Sequence, residues 1–400
     1  MKIAQYNVFA HRARLPVSGV FAVSVQGLGE TRLGVANAGT RPTVTNERKP
    51  RLEVHLFDFD RDLYGAHLRV SFAPSGAIGI FDKDTGRELF QGGATGARAV
   101  VLNDPHDTWA NIVAFDQDIA AFGNAKIRVL ESGPLRAAVR VRTTYGASTL
   151  TTDWILYSGS RALEARVALN WNENRKMLKF SFPVDVTEPR ATHEVAYGHI
   201  VREANGGEEP GQRWIDLTGR RQSSEYGLAV INDAKYGYSV KGNDMRISVV
   251  RSPLYGHRSG LPVDPNVDYN WQNQGLQTFR MLLMPHQGAW QDAGVVRAAE
   301  EFINPVPVVY QGIHPGTRPQ ADSFLSVDAP NVVVSAIKVA ESGNDLIFRC
   351  YETAGRPALA SIDFRFAKKR WSGKFRPSEI KTLRMDTRTG TIREVNLLEE

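Results

Sequence analysis

The sequence predicts an all-β protein. Three observations carry that prediction. Apolar and polar residues alternate with a period of two along most of the chain, clusters of Gly, Pro, Asn and Asp cut the alternation into short runs, and only one segment has helical spacing. Between Arg136 and Arg142 the alternation puts arginines on one face and small apolar residues on the other, as in a sheet with one buried and one wet face. The helical segment is Asp292 to Glu301, which sets Val295, Val296 and Ala299 on one side ahead of Pro305.

Taken in order, Val20–Val25, Leu52–Phe57 and Leu68–Phe72 read as strands, separated by Gly27-Leu-Gly29, Gly39 and Pro42. Ala77–Phe81 leads into a turn over Asp82–Gly86, where Asp and Gly suit turn geometry. Longer strands follow at Lys126–Leu130, Ala137–Arg142, Thr149–Tyr157 and Ala162–Leu169. The runs His193–Ile200 and Tyr226–Ile231 flank a loop containing Gly206, Gly207, Glu208, Glu209, Pro210 and Gly211, with Trp214 beyond it. A Pro-rich connection from Asn304 to Pro319 marks a boundary. After it, Val332–Ile337, Leu346–Cys350, Ala358–Phe366 and Ile380–Arg384 predict a small sandwich.

Composition narrows the function classes. With 42% hydrophobic and 23% charged residues among 400, the chain is of ordinary globular type and long enough for two to three domains. The net charge of +6 is dispersed, and the densest basic cluster, Lys368 to Arg370 near Lys374 and Arg376, is short, so no nucleic-acid partner is expected. Cys350 is the only cysteine, which excludes an internal disulfide and a Cys-rich zinc site. No apolar run approaches the roughly 20 residues of a membrane span, and the N-terminus lacks a signal-like apolar core. These features predict a cytoplasmic protein with no membrane partner; they do not define an oligomeric state.

The order of several motifs is more specific than any one of them. VAYG (195–198), GEEP (207–210), RW (213–214) and KYGY (235–238) occur in series. DPHDTW (104–109), ESGPLR (131–136) and WNENRKMLK (171–179) precede them; RSP (251–253), PH (285–286), FLSVD (324–328) and EIKTLR (379–384) follow. From about Phe72 to Glu400 this series resembles the C-terminal region of glycoside hydrolase family 38, the retaining α-mannosidases. The resemblance implies a supersandwich like that of galactose mutarotase over 73–316 and a terminal small β-sandwich over 317–400. It also implies that the zinc ligands and the nucleophilic Asp belong to an N-terminal catalytic domain whose motifs are not in this sequence. No cofactor is therefore expected within the chain, zinc only with that missing domain. A mannoside and a separate catalytic polypeptide are the expected partners.

A second, unrelated resemblance covers residues 7–72. LPVSGVF (15–21), GVANAGTRPT (34–43), LEVHLFDFD (52–60) and DLYG (62–65) look like bacterial riboflavin kinase, a small β-barrel that transfers phosphate from ATP to riboflavin. In that likeness Glu53 stands at the family's catalytic carboxylate and Asn7 at the Asn of its phosphate loop. Gln5 occupies the place of a threonine ligand, and the rest of the loop is absent. Residues 1–72 are therefore expected to form an incomplete, inactive barrel segment.

Apart from Asn7 and Glu53, the candidate site residues are carbohydrate-proximal. Glu208 and Glu209 lie on the glycine-rich loop near Trp214, a pairing of carboxylate and indole that suits sugar recognition; the alternative is a loop that only packs the sheets. Asp104 and Asp107, with His106 and Trp109, offer oxygen and nitrogen donors for a sugar hydroxyl, and no metal site is expected. His286 reads as a strand-end histidine with a satisfied hydrogen bond. The leading expectation is a non-catalytic mannosidase β-portion. The alternatives are a riboflavin kinase-like protein forming flavin mononucleotide, and a structural module with no ligand.

Overall fold

The structure, a computed structural model, describes residues 28–31, 53–54, 62–109, 117–256, 262, 264–310, 316–317 and 321–400. They fall into two compact units, one from residues 48–195 and 200–295, the other from residues 1–47, 196–199 and 296–400.

The first unit is a supersandwich. Its nine-stranded sheet runs, in spatial order, Gly198–Arg202, Thr187–Val195, Trp214–Arg221, Ser224–Asn232, Gly275–Gln287, Leu163–Trp171, Ser148–Tyr157, Arg136–Tyr145 and Gly123–Ser132. The six-stranded sheet runs Asn205–Pro210, Gly237–Lys241, Asp244–Arg251, Lys176–Pro183, Arg98–Asn103 and Asp118–Ala121. Alternation decides which face is inside. Leu163, Ala165, Val167, Leu169 and Trp171 are all buried, while Arg166, Ala168 and Asn170 point the other way. The inward set shares one core with Phe180, Phe182 and Ile247 of the six-stranded sheet, and each such side chain contributes roughly 1.5–3 kcal/mol by leaving water.

A short five-stranded sheet from Glu53–Val54 to Arg87–Glu88 belongs to the same unit. The predicted turn after Ile78–Asp82 forms because the Asp82 carboxylate accepts the amides of Asp84 (3.0 Å) and Thr85 (3.4 Å). The other Asp82 oxygen accepts the Tyr226 hydroxyl at 3.0 Å, tying the turn to the nine-stranded sheet.

The second unit contains two four-stranded sheets. One runs Leu28–Thr31, Ala321–Val327, Ala358–Phe364 and Lys369–Phe375; the other runs Val332–Val339, Leu346–Glu352, Ile380–Met385 and Ile392–Val395. Phe348 and Phe364 meet edge to face at 4.6 Å in their shared core, beside Phe375 and Leu383. Buried Glu352 accepts the amides of Ala354, Arg356 and Ser378, which fixes two loops. Burial pushes the Cys350 thiol up to about 12, so it packs as a small apolar side chain.

Three local expectations differ from the structure. The segment holding Glu208 and Glu209 is a strand, Asn205–Pro210, at the edge of the six-stranded sheet. Gly206 at φ +90° and a register shift between Asn205 and Glu208 make a bulge that keeps two glycines in a paired strand. Leu28–Thr31 is extended where Gly27-Leu-Gly29 predicted a break, because it pairs antiparallel with Ala321–Val327. The helix spans Val295–Ile303, beginning later than expected. Most of the N-terminal barrel segment, including Val20–Val25 and Asn7, lies outside the described residues, as does the Glu53 side chain; Glu53–Val54 itself pairs with Leu63–Tyr64. No helix among the described residues is long and apolar enough to cross a membrane.

Candidate functional site

Each carbohydrate-proximal candidate falls in the supersandwich. Glu208 faces fully buried Lys179, accepting a hydrogen bond from its ammonium, and its other oxygen accepts the Ser248 hydroxyl. Lys179 also donates to Ser239 at 2.8 Å. Burial lowers the Lys179 pKa below the ordinary lysine value, and the Glu208 carboxylate opposes that shift. Glu209, the next residue on a strand, points to the opposite face and pairs with Arg202 at 3.4 Å. The two glutamates therefore do not converge.

Asp104 is wholly buried and holds Arg251 through two parallel bonds of 2.9 Å. The same guanidinium reaches the Asp107 carbonyl at 3.2 Å, and the Asp107 carboxylate accepts the Trp109 amide at 2.9 Å. Arg251 thus gathers the DPHD segment into a folded corner with Trp109 exposed beside it. Among the described residues no group of three or more His, Cys, Asp or Glu is arranged to hold a metal ion.

Trp214 is buried in the core, its ring 4.8 Å from that of Trp290, which leaves no face open to a sugar. Two positions further along its strand, Asp216 binds His286 Nε2 at 2.7 Å and accepts the Thr218 hydroxyl at 2.6 Å. His286 Nδ1 lies 3.1 Å from the Gly288 carbonyl. With a carbonyl on one nitrogen and a carboxylate on the other, both ring nitrogens donate, and the ring is an imidazolium. Burial opposes that charge, but Asp216 and the carbonyls outweigh it and raise the pKa. Gly227 has to be glycine here, since a Cβ would lie 2.8 Å from both His286 Cε1 and the Leu217 carbonyl.

His193 behaves in the opposite way. Burial, with Arg202 adding to it, pushes its pKa down to about 4, and its Nδ1 has no hydrogen-bond partner among the described residues. It packs edge-on against Tyr238 with centroids 5.8 Å apart. Below about pH 6.5 the unfolded histidine takes up a proton that the folded one refuses until about pH 4, so its contribution, full above pH 6.5, is lost across that window. His193→Phe keeps the packing and removes the titration. Its acid destabilisation between pH 6.5 and 4, followed by urea melts, is expected to be smaller than the parent's by on the order of 3 kcal/mol; an equal acid response would refute the assignment.

The sheet also carries a feature that single motifs do not reveal. A groove of about 380 Å³ lies on the outward face of the nine-stranded sheet, lined by Arg140, Asp153, Arg166, Asp233 and Arg280 with Thr151 and Thr278. Arg140 grips Asp153 with bonds of 2.6 and 2.7 Å, and Arg280 grips Asp233 at 2.8 Å. The period-two arginines of Arg136–Arg142 were its only signal in the sequence, because the rest of the set comes from strands far apart in the chain.

Residues 64–265 match the glycosyl hydrolases family 38 C-terminal domain, residues 331–400 the glycosyl hydrolases family 38 C-terminal beta sandwich domain, and residues 1–75 riboflavin kinase. Alpha-mannosidase 2C1 of Mus musculus is 30% identical over 345 residues, which cover 81% of this chain and 31% of the relative. A bifunctional riboflavin kinase/FMN adenylyltransferase of Escherichia coli K12 is 58% identical over 65 residues, 16% of this chain and 20% of the relative. Among solved structures, an alpha-mannosidase from Enterococcus faecalis V583 shares the fold with a TM-score of 0.67 at 15% identity, over 81% of this chain and 42% of that one. The chain spans about a third of the length of the mannosidase relative.

Proposed function

Because the chain belongs to the glycosyl hydrolases family 38 C-terminal domain family, we propose that it is the carbohydrate-associated β-portion of an α-mannosidase, inactive alone and dependent on a separate catalytic polypeptide. The observation that carries this reading is how its candidate carboxylates are used. Asp104 is held by Arg251, Glu208 by Lys179 and Glu209 by Arg202. Retaining glycoside hydrolysis needs a nucleophilic carboxylate and an acid/base carboxylate roughly 5 Å apart and open to the sugar. Asp104, itself wholly buried, and Glu208, paired with buried Lys179, serve the fold instead. The groove beside Thr151 and Thr278 offers the hydroxyl, carboxylate and guanidinium groups that bind sugars without cleaving them.

The test is hydrolysis of a chromogenic α-mannoside by the purified chain, with and without zinc, beside a matched empty-vector preparation. No turnover above the control is expected, together with a rise in melting temperature on adding mannose. Zinc-dependent turnover would overturn the proposal. A second reading, riboflavin phosphorylation, is favoured by the 58% identity over 65 residues. Formation of flavin mononucleotide from riboflavin and ATP would establish it, and Gln5 at a ligand position argues for its absence.

A further inference from the structure

The groove has a charge pattern that its internal ion pairs do not explain. Five adjacent strands place Arg128, Arg140, Asp153, Arg166 and Arg280 in one cross-strand row: Arg140 lies opposite both Arg128 and Asp153, Asp153 opposite Arg166, and Arg166 opposite Arg280. In the next row on the same face, Arg142 lies opposite Lys126 and Thr151. Three cross-strand pairs therefore set like charges side by side, an arrangement that destabilises a sheet. The carboxylates within reach are already engaged, Asp153 with Arg140, Glu164 with Arg166 and Asp233 with Arg280. Lys126, Arg128 and Arg142 are exposed and make no hydrogen bond or ion pair among the described residues.

We infer that Lys126, Arg128 and Arg142 form an oxyanion site beside the groove, across from its Arg140 and Thr151, and that the ligand is a sugar bearing a phosphate or carboxylate group. This rests on the carbohydrate reading above and narrows it to a charged substrate class. Guanidinium forks match such oxyanions, and an oxyanion seated between Arg142 and Lys126 converts their repulsion into attraction. Thr151, directly across from Arg142, lines the groove, where its hydroxyl and that of Thr278 meet sugar hydroxyls. The competing explanation is that charge on the edge strand Gly123–Ser132 wards off pairing with another sheet; that role needs no ligand.

The experiment titrates the full chain with mannose, mannose 6-phosphate and inorganic phosphate by calorimetry at low and high salt. Mannose 6-phosphate is expected to bind at least tenfold more tightly than either of the others, and to weaken as salt rises. The double variant Arg128→Gln/Arg142→Gln is expected to lose that tenfold advantage, to keep the affinity for mannose, and to melt at or above the parent temperature because a repulsion is gone. Binding of mannose 6-phosphate no tighter than mannose would overturn the inference and leave the carbohydrate reading standing. Equal binding of inorganic phosphate would overturn the sugar assignment, and an unchanged advantage in the double variant would overturn the site. Absence of binding by all three probes would overturn both readings.

Discussion

Asp216→Ala is expected to destabilise the supersandwich by about 3–5 kcal/mol, the loss that follows when one partner of a buried ion pair is removed. His286 is almost fully buried, and its Nε2 meets Asp216 at 2.7 Å. The variant also strips the Thr218 hydroxyl of its acceptor. The pH response separates this from loss of packing. The folded His286 pKa is raised, so its stabilisation is fully present below the unfolded value of about 6.5 and is lost as pH climbs through the folded value. In Asp216→Ala that alkaline decline is expected to vanish, because the imidazolium has lost its counter-charge. Urea melts between pH 5 and 9, followed by tryptophan fluorescence, read both effects. A loss below 1 kcal/mol, or an alkaline decline of unchanged size, would show that the pair does not carry this charge.

The fold was legible because alternation is a local signal. Arg136–Tyr145, Ser148–Tyr157 and Leu163–Trp171 each declare their buried face residue by residue, and the structure buries those faces. Where local chemistry and pairing disagree, pairing prevails. The glycines at 206 and 207 and the break at Gly27-Leu-Gly29 both read as loops, yet Asn205–Pro210 and Leu28–Thr31 are edge strands held by a neighbour's backbone hydrogen bonds. Such bonds are set by tertiary partners far along the chain, which no window of sequence contains.

The site was less legible for the same reason, applied to charge. Glu208 and Asp104 stood out as acids in loop-like stretches, but what they do depends on Lys179 and Arg251, 29 and 147 residues away. Trp214 had the residue type for sugar stacking, and only the core contact with Trp290 shows that its faces are used. His286 was the exception. Its place at the end of an apolar strand predicted a satisfied histidine, which the Asp216 and Gly288 contacts supply. The arginine row showed only as the period-two arginines of Arg136–Arg142, since the sequence gives each strand's period but not the register between strands.

Glu208→Ala distinguishes a structural carboxylate from an active-site one most sharply. If Glu208 served only a ligand, its removal would leave the sheet as stable as before. The structure predicts instead a loss of about 3–5 kcal/mol, because the Lys179 ammonium, at 0% exposure, keeps its hydrogen bond to Ser239 but loses the carboxylate it is paired with. Burial already lowers the Lys179 pKa, and without Glu208 that shift deepens, so the variant gains stability as pH rises and the lysine in the fold sheds its proton before the unfolded one does. Removing both charges reverses the damage: Lys179→Met/Glu208→Leu is expected to lie well above Glu208→Ala in urea midpoint, since an apolar pair of similar volume needs no desolvation of charge. A double variant less stable than Glu208→Ala would refute the coupling. A Glu208→Ala protein of parental stability would return Glu208 to the set of carboxylates free to meet a sugar.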